Sequence, residues 1–384
     1  MIDVIVIGSN HHNTLGVIRS LGYAGIRPVV LLSTEEKKPY VSYSKYIKKK
    51  RIFHNDVDLI SFLRNNSVEG KPVVIACSDS LSCLLDENID ILSKKYQLPG
   101  SSKQGRISHY MNKEIMSDLA RQVGFDVPQT VVVEIGKKTV PVLPYPWIIK
   151  PLVSCRGSKQ DIKRCYTEED WRNYVKEKHC ERVQVQQLIE KDYEFQLIGC
   201  SLNGGGALII PGYAKNIRPS DVSNTGFLQY IPTQKLPIDV VKCQKFISIT
   251  RYSGLFSMEF IHGKDGRDYF MEINFRNDGN AICVTTSGLN LPYIWFLAAS
   301  GQDYEIELKH EADMRRVYVM PEFDDIILLL KRRVKIMTWL KDLFRTDCFM
   351  EFSKKDPVPF FYALSGFSKR LFRYIGKRTG LIKS

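Results

Sequence analysis

Ser257-Met258-Glu259-Phe260-Ile261, with Phe270-Met271-Glu272-Ile273-Asn274-Phe275-Arg276 following a short connection, reads as a pair of strands. Aromatic and β-branched residues alternate there with polar ones. His262-Gly263-Lys264-Asp265-Gly266 between them is a hairpin signal. A turn centred on Asp265-Gly266 sets Glu259 directly opposite Glu272. Side chains two apart on a strand share a face, so Asn274 joins the two glutamates and Arg276 comes next along. Like charges opposed across a sheet are destabilising when nothing pairs them. A hard divalent cation resolves the conflict, because Mg²⁺ takes carboxylate oxygens together with substrate phosphates. The plain alternative is an amphipathic hairpin whose glutamates are solvated. The apolar residues around both glutamates favour the buried metal site.

Working outward, the chain of 384 residues is long enough for two or three domains. Its 44% apolar and 25% charged content is that of a globular protein in water. No apolar run reaches the ~18 residues that a membrane-spanning helix needs. The N-terminus, Met1-Ile2-Asp3-Val4-Ile5-Val6-Ile7-Gly8, reads as a first strand rather than a signal peptide. Nine cysteines occur without a CxxC pair, and Cys77, Cys200 and Cys283 fall in apparent strands. That pattern points to reduced core thiols and a cytoplasmic setting, not to a disulfide framework or a zinc site.

The first hundred residues alternate in the βαβ manner. Strands are predicted over Val4–Gly8, Pro28–Leu32 and Pro72–Cys77, with helices over Thr14–Leu21 and Asp58–Asn65. Gly8-Ser9-Asn10-His11-His12-Asn13 is not a GxGxxG fingerprint, and no acidic residue closes the second strand, so a dinucleotide site is disfavoured. His11 and His12 read as loop residues. Asn112 caps a helix over Asn112–Ala120, and Lys150 interrupts an apolar strand over Tyr145–Pro151. The polar loop Ser154–Gln160 follows, then a helix over Glu168–Lys178 behind Thr167 and strands over Val183–Ile189 and Tyr193–Cys200. The change to hairpin-linked strands marks a boundary near residue 110.

The ordered series Lys113, Lys150, the Ser154–Gln160 loop, Gln187–Ile189, Glu194, Lys215, Glu259, Glu272, Asn274 and Arg276 resembles the ATP-grasp superfamily over roughly residues 1 to 300. It is similar to carboxylate–amine ligases, including the D-aspartate ligase and carbamoyl-phosphate-synthase-like groups. The resemblance implies an α/β pre-ATP-grasp domain, Rossmann-like, over 1–110. An α+β ATP-grasp fold would follow, its small subdomain over 111–190 and its C-terminal subdomain with the metal site over 191–310. The basic, partly helical extension would be 311–384. Implied ATP contacts are Lys113, Lys150, Ser154, Gly157, Ser158, Gln187, Leu188, Ile189, Glu194 and Lys215, with Gln187–Ile189 meeting adenine largely through main-chain hydrogen bonds. Glu259, Glu272 and Asn274 would hold one or two Mg²⁺ ions, with Mn²⁺ an alternative. Arg276 and Lys215 would neutralise charge in catalysis, and Arg276 and Arg218 would meet substrate. Gln160 departs from the glycine of similar phosphate loops, and glutamine resists the close backbone approach that glycine permits.

The implied reaction joins a small-molecule carboxylate to an amine through an acyl phosphate, releasing ADP and phosphate. The alternatives are a small-molecule kinase on the same fold, or a membrane-associated nucleotide binder without turnover. Net charge is +13, and from Glu311 onward 16 Lys and Arg stand against 9 Asp and Glu. One amphipathic helix over Asp325–Arg345, followed by basic residues interleaved with aromatics, suits the face of an anionic membrane. Packing of this helix on the protein body is the competing reading. Peripheral docking at the inner membrane face and a homodimer are left open, and nucleic acid is not expected, since no binding motif accompanies the charge.

Overall fold

The structure, a computed structural model, describes residues 3–135, 141–151, 163–177, 182–220 and 225–378. The N-terminal sheet has the order β3-β2-β1-β4, from β1 (Val4–Gly8), β2 (Val29–Ser33), β3 (Lys49–Phe53) and β4 (Val73–Ala76), all parallel. Around it run α1 (His12–Tyr23), α2 (Asp56–Asn65), α3 (Asp79–Glu87) and α4 (Ile89–Leu92), while α5 (Arg106–Tyr110) and α6 (Lys113–Gln122) pack with the large sheet described below. A continuous apolar strand such as Val-Ile-Val-Ile-Gly suits this sheet because helices cover both of its faces. The edge strand Lys-Lys-Arg-Ile-Phe of β3 escapes such a reading; only its last residue is buried.

A second, antiparallel sheet of order β5-β8-β6-β7 comprises β5 (Thr130–Glu134), β6 (Trp147–Pro151), β7 (Lys163–Cys165) and β8 (Arg182–Gln187), with α7 (Glu168–Glu177) alongside. Alternation divides its faces. Trp147, Ile149, Val183 and Val185 pack with Trp171 and Tyr174 of α7, leaving Lys150, Gln184 and Gln186 on the other side.

The third sheet has eight strands in the order β14-β13-β9-β11-β12-β15-β16, with β10 against β9. Its members are β9 (Lys191–Leu202), β10 (Ala207–Ile209), β11 (Gly212–Arg218), β12 (Phe227–Pro232), β13 (Gly254–Gly263), β14 (Asp268–Asn274), β15 (Val317–Met320) and β16 (Cys348–Phe349). Helices α8 (Val240–Thr250), α9 (Ile282–Ser287), α10 (Leu291–Ala299) and α11 (Glu305–Leu308) lie among these strands in sequence. Residues beyond 311 supply β15 and β16, together with α12 (Glu322–Leu330), α13 (Ile336–Arg345) and α14 (Val358–Arg378). The expected single helix over Asp325–Arg345 is therefore two, interrupted where Arg332 takes a φ of 56°. Cys283 lies in α9 rather than in a strand. No helix among the described residues is long and apolar enough to cross a membrane.

One core is shared across units. Leu15 and Ile18 of α1 pack with Leu228 and Leu255 of the large sheet and with Ile294 and Trp295 of α10. A polar clasp joins α1 to the chain's last hundred residues. The Arg19 guanidinium, 2% exposed, donates to Asp356 Oδ2 at 3.2 Å and to the carbonyls of Glu351 at 2.8 Å and Asp356 at 2.9 Å. Ser44 Oγ and the Lys45 amide satisfy the same carboxylate at 2.8 and 3.0 Å. Removing one partner of a buried pair leaves the other charge uncompensated. Arg19→Met should therefore cost ~3–5 kcal/mol, read by chemical denaturation; a loss below 1 kcal/mol would show the clasp to be dispensable.

Candidate active site

The β13–β14 register opposes Glu259 to Glu272 and Ser257 to Asn274 as expected. The pairs nearer the turn, Phe260 with Phe270 and His262 with Asp268, are one residue out of that register, and an irregularity between Glu259 and Phe260 makes up the difference. Gly266 supplies the φ of 77° that the turn requires, a conformation glycine adopts without strain. Across β13, Glu259 pairs with Gln196 of β9. Gln196 Nε2 donates to Glu259 Oε1 at 3.0 Å, and Asn274 Nδ2 donates to the same oxygen at 3.1 Å. Gln196 Oε1 in turn accepts from Asn280 Nδ2 at 2.7 Å. Neutral donors thus surround the glutamate. Burial, the Glu272 carboxylate and Asp278 push the Glu259 carboxyl well above its ordinary range, against the smaller opposing pull of Arg276.

Two lysines stand in the electrostatic neighbourhood of these glutamates. Lys150 on β6 donates from Nζ to Gln186 Oε1 at 2.8 Å, and Gln186 Nε2 donates to Thr130 Oγ1 at 3.2 Å. Burial and, less strongly, Lys113 bring the Lys150 ammonium down to about 8, against the opposing pull of Glu272 and Glu259. These mutual influences bring Lys150, Lys113, Glu259 and Glu272 into one electrostatic neighbourhood. Lys113 opens α6, whose cap Asn112 accepts from the Glu114 amide at 3.0 Å. Met116 of α6 touches the Ile273 amide of β14, which fixes the helix against the carboxylate wall.

Arg276 is already engaged. It forms a fork on Asp79, Nε to Oδ1 at 3.0 Å and Nη2 to Oδ2 at 3.1 Å, and reaches Asp278 at 3.5 Å and Asn274 Oδ1 at 3.2 Å. Burial opposes its charge, but Asp79 and Asp278 more than offset this and hold it firmly charged. Asp79 opens α3 just beyond β4, the carboxyl end of a parallel strand. Asn13 on α1 donates to the carbonyls of Cys77 at 2.9 Å and Asn277 at 2.8 Å, tying the N-terminal sheet to the segment after Arg276. A Cβ on Gly8 would meet Thr14 Oγ1 at 2.2 Å, so this close turn requires glycine.

A donor set of two carboxylates and an amide fits a hard cation whose remaining ligands are phosphate oxygens and water. Among the described residues, no group of three His, Cys, Asp or Glu could hold a metal on protein side chains alone. The Asn274 amide presents its nitrogen to Glu259 and its oxygen to Arg276, so ligation through that oxygen requires the amide to turn over.

No protein-family model and no curated protein sequence matches the chain. Solved structures do. An L-amino acid ligase from Bacillus licheniformis superimposes with a TM-score of 0.63 at 15% identity, covering 82% of this chain and 79% of that one. The N5-carboxyaminoimidazole synthetase from Staphylococcus aureus gives 0.60 at 16% identity, with 78% of each chain covered. Phosphoribosylglycinamide synthetase from Anaerococcus prevotii gives 0.60 at 13% identity, covering 83% and 80%. The chain has the ATP-grasp fold.

Within this ATP-grasp frame several expected contacts stand elsewhere. Lys215 lies opposite Phe195 on β9, whereas Gln196, the partner of Glu259, lies opposite Ala214. Alternation therefore sends Lys215 to the far face of the sheet, where its ammonium sits 3.6 Å from the Tyr193 ring centre. Arg218 is held by Asp325 and Asp342, both at 2.5 Å. The amides of Gln187 and Leu188 already donate to the carbonyls of Gln129 at 2.8 Å and Pro146 at 2.9 Å, so they are not the expected main-chain donors to a base. Glu194 shares the face of Gln196 and pairs with Lys191 at 2.8 Å. Ser154, Gly157 and Ser158 lie outside the described residues. His12 is no loop residue: it begins α1, 7% exposed, with Thr225 Oγ1 3.3 Å from Nε2. Burial pushes both histidines down, His11 to about 3.

Sequence reasoning missed Asp79, Gln186, Gln196, Asp278 and Asn280. Asp79 was within reach, since ligands of open α/β sheets gather outside the carboxyl ends of strands. Because folding raises the Glu259 value, the folded chain holds a proton that the unfolded chain releases above about 4.3. Stability without metal should therefore fall as pH rises from that value, and Mg²⁺ should oppose the fall. Glu259→Gln should flatten the apparent Tm against pH; an unchanged slope would place the titrating group elsewhere.

Proposed function

We propose that the protein is an ATP-dependent carboxylate–amine ligase. The observation that carries this reading is the grouping of Glu259, Glu272 and Asn274 on one sheet with Lys150 of a second sheet and Lys113 of α6 close enough to act on one another electrostatically. A nucleotide polyphosphate with Mg²⁺ fits between a carboxylate wall and an ammonium wall, each supplying what the other part of that ligand needs. The fold likeness to several ligases supports the same reading, and one structure of that fold, a biotin carboxylase domain, is described in complex with MgADP and bicarbonate.

In this proposal Lys150 and Lys113 hold the phosphates as point charges, and Gln186 orients Lys150 through its carboxamide oxygen. Glu259, Glu272 and Asn274 would hold Mg²⁺, which supplies charge neutralisation on the phosphate oxygens when bound. Mn²⁺ presents the same oxygen preference. Leu188 and Ile189, which connect β8 to β9, line the base side, and Glu194 holds the ribose hydroxyls. The substrate carboxylate attacks the γ-phosphorus, the bond to the β–γ bridging oxygen breaks, and ADP leaves. The amine then attacks the acyl phosphate, losing a proton as phosphate departs. Positioning and charge neutralisation carry the reaction. Arg276 keeps a role on the substrate side, as a charge held in place by Asp79 and Asp278. Residues 1–110 would form the substrate-side domain and 111–190 and 191–310 the walls of the cleft.

Release of ADP and phosphate, measured with Mg²⁺ and ATP over carboxylates crossed with amines, tests this directly. Phosphate release that needs both partners, with a product mass equal to their sum less water, is expected. ADP formed with one substrate and a stable phosphorylated product would move the assignment to a kinase. Glu272→Gln should lower turnover by more than about a hundredfold while leaving the fold intact by circular dichroism; full activity would remove the metal assignment. Lys150→Ala should raise the Kd for ATP by about tenfold or more, the worth of one charge-assisted hydrogen bond. With Lys150 present, ATP affinity should decline as pH rises past about 8, and the variant should lose that dependence.

A further inference from the structure

Helix α13 is mounted with its polar side inward. Asp342, 3% exposed, accepts from Arg218 Nη1 at 2.5 Å and from Arg345 at 2.8 Å. The Arg345 guanidinium lies 4.4 Å from the Tyr318 ring centre and 5.0 Å from that of Phe227. These contacts anchor the helix to β11, β12 and β15 through charge and stacking rather than through an apolar stripe. The apolar side consequently faces outward: Ile336, Met337 and Phe344 are 61, 73 and 86% exposed. Met337, Leu340 and Phe344 follow one another at three- and four-residue spacing, with Ile336 and Leu343 beside them. Scattered apolar residues on a surface need no explanation, but one strongly amphipathic helix turned inside out does.

The rim of this ridge is basic. Arg332 and Lys335 are exposed in the connection leading into the helix, and exposed Lys341 borders the ridge along its length. A convex apolar ridge with cations beside it matches an anionic lipid surface, where side chains enter the acyl boundary while ammonium and guanidinium groups meet headgroup phosphates. It offers no groove to enclose a peptide. We propose that α13 seats the protein peripherally on an anionic bilayer through Ile336, Met337, Leu340 and Phe344.

The test uses the full chain and co-sedimentation with vesicles of phosphatidylglycerol and phosphatidylcholine in equal parts, against phosphatidylcholine alone. Binding to the mixed vesicles, weakened by high salt, is expected. Met337→Asp with Phe344→Asp should lower that binding by at least about tenfold with no change in Tm, because both side chains are exposed. Lys335→Glu with Lys341→Glu should abolish the preference for anionic vesicles. Absence of vesicle binding in the parent protein, or binding that both double variants retain, would overturn the proposal. So would a dimer in sedimentation velocity that Met337→Asp with Phe344→Asp dissociates without any lipid binding, since the ridge would then be covered by a second copy of the chain.

Discussion

Two carboxylates opposed across neighbouring strands in a buried part of a sheet constrain everything near them. Both side chains are half-buried, and Glu259 cannot be charged beside Glu272 at low cost unless a cation is present. The surrounding side chains answer that constraint. Gln196 and Asn274 donate to Glu259 with neutral amides, and each is held by a further partner, Asn280 for Gln196 and Arg276 for Asn274. Ser257, directly opposite Asn274, donates to Asp278, so the next acid along is also committed. A slip of one residue in the hairpin would turn the glutamates to the other face, where Phe195, Met258 and Phe260 form a core. Register and chemistry are therefore one requirement.

The site also depends on chain segments far from the hairpin. Asp79 and Asn13 belong to the N-terminal unit, yet the first grips Arg276 and the second the backbone at Asn277. The C-terminal segment closes the arrangement from behind. Glu322 accepts from the amides of Met350 at 3.0 Å, Glu351 at 3.1 Å and Phe352 at 2.6 Å, and Arg19 binds the turn that follows. Burial and the neighbouring Glu351 nevertheless raise the Glu322 carboxyl well above its ordinary range, against the smaller pull of these N–H donors. The residues after 311 are thus built into the body of the protein, with β15 and β16 extending its largest sheet.

What could be read from the sequence divides along physical lines. The pairing of Glu259 with Glu272 was expected from the turn, yet it rests on a one-residue shift beside Phe260 that local sequence does not announce. The βαβ alternation, by contrast, was legible because buried parallel strands are continuous apolar runs. Lys215 was not, since the face of a strand residue depends on its register with β9 and β12, which local sequence does not contain. Arg218 looked like a substrate contact because its two acids stand 107 and 124 residues away. Asp325–Arg345 has a helical period throughout, and only the backbone at Arg332 breaks it. The charged strand β3 carries almost no apolar signal, because at the sheet edge only Phe53 has a core to face.

The two walls of the cleft carry a further consequence for binding. Burial drives Glu259 toward its protonated form and Lys150 toward its neutral one, so the protein without ligand reduces the charge on each wall. On the proposed reading, a divalent cation would favour the ionised glutamate and phosphates would favour the charged lysine. The metal must displace a proton from Glu259, which makes its affinity rise with pH, whereas the phosphates prefer Lys150 protonated, which makes theirs fall above about 8. The two dependences on pH therefore run in opposite directions. The burden falls on the carboxylate side, because Lys150, lowered only to about 8, is still largely charged at neutral pH, whereas Glu259 is pushed toward its protonated form by burial and by Glu272.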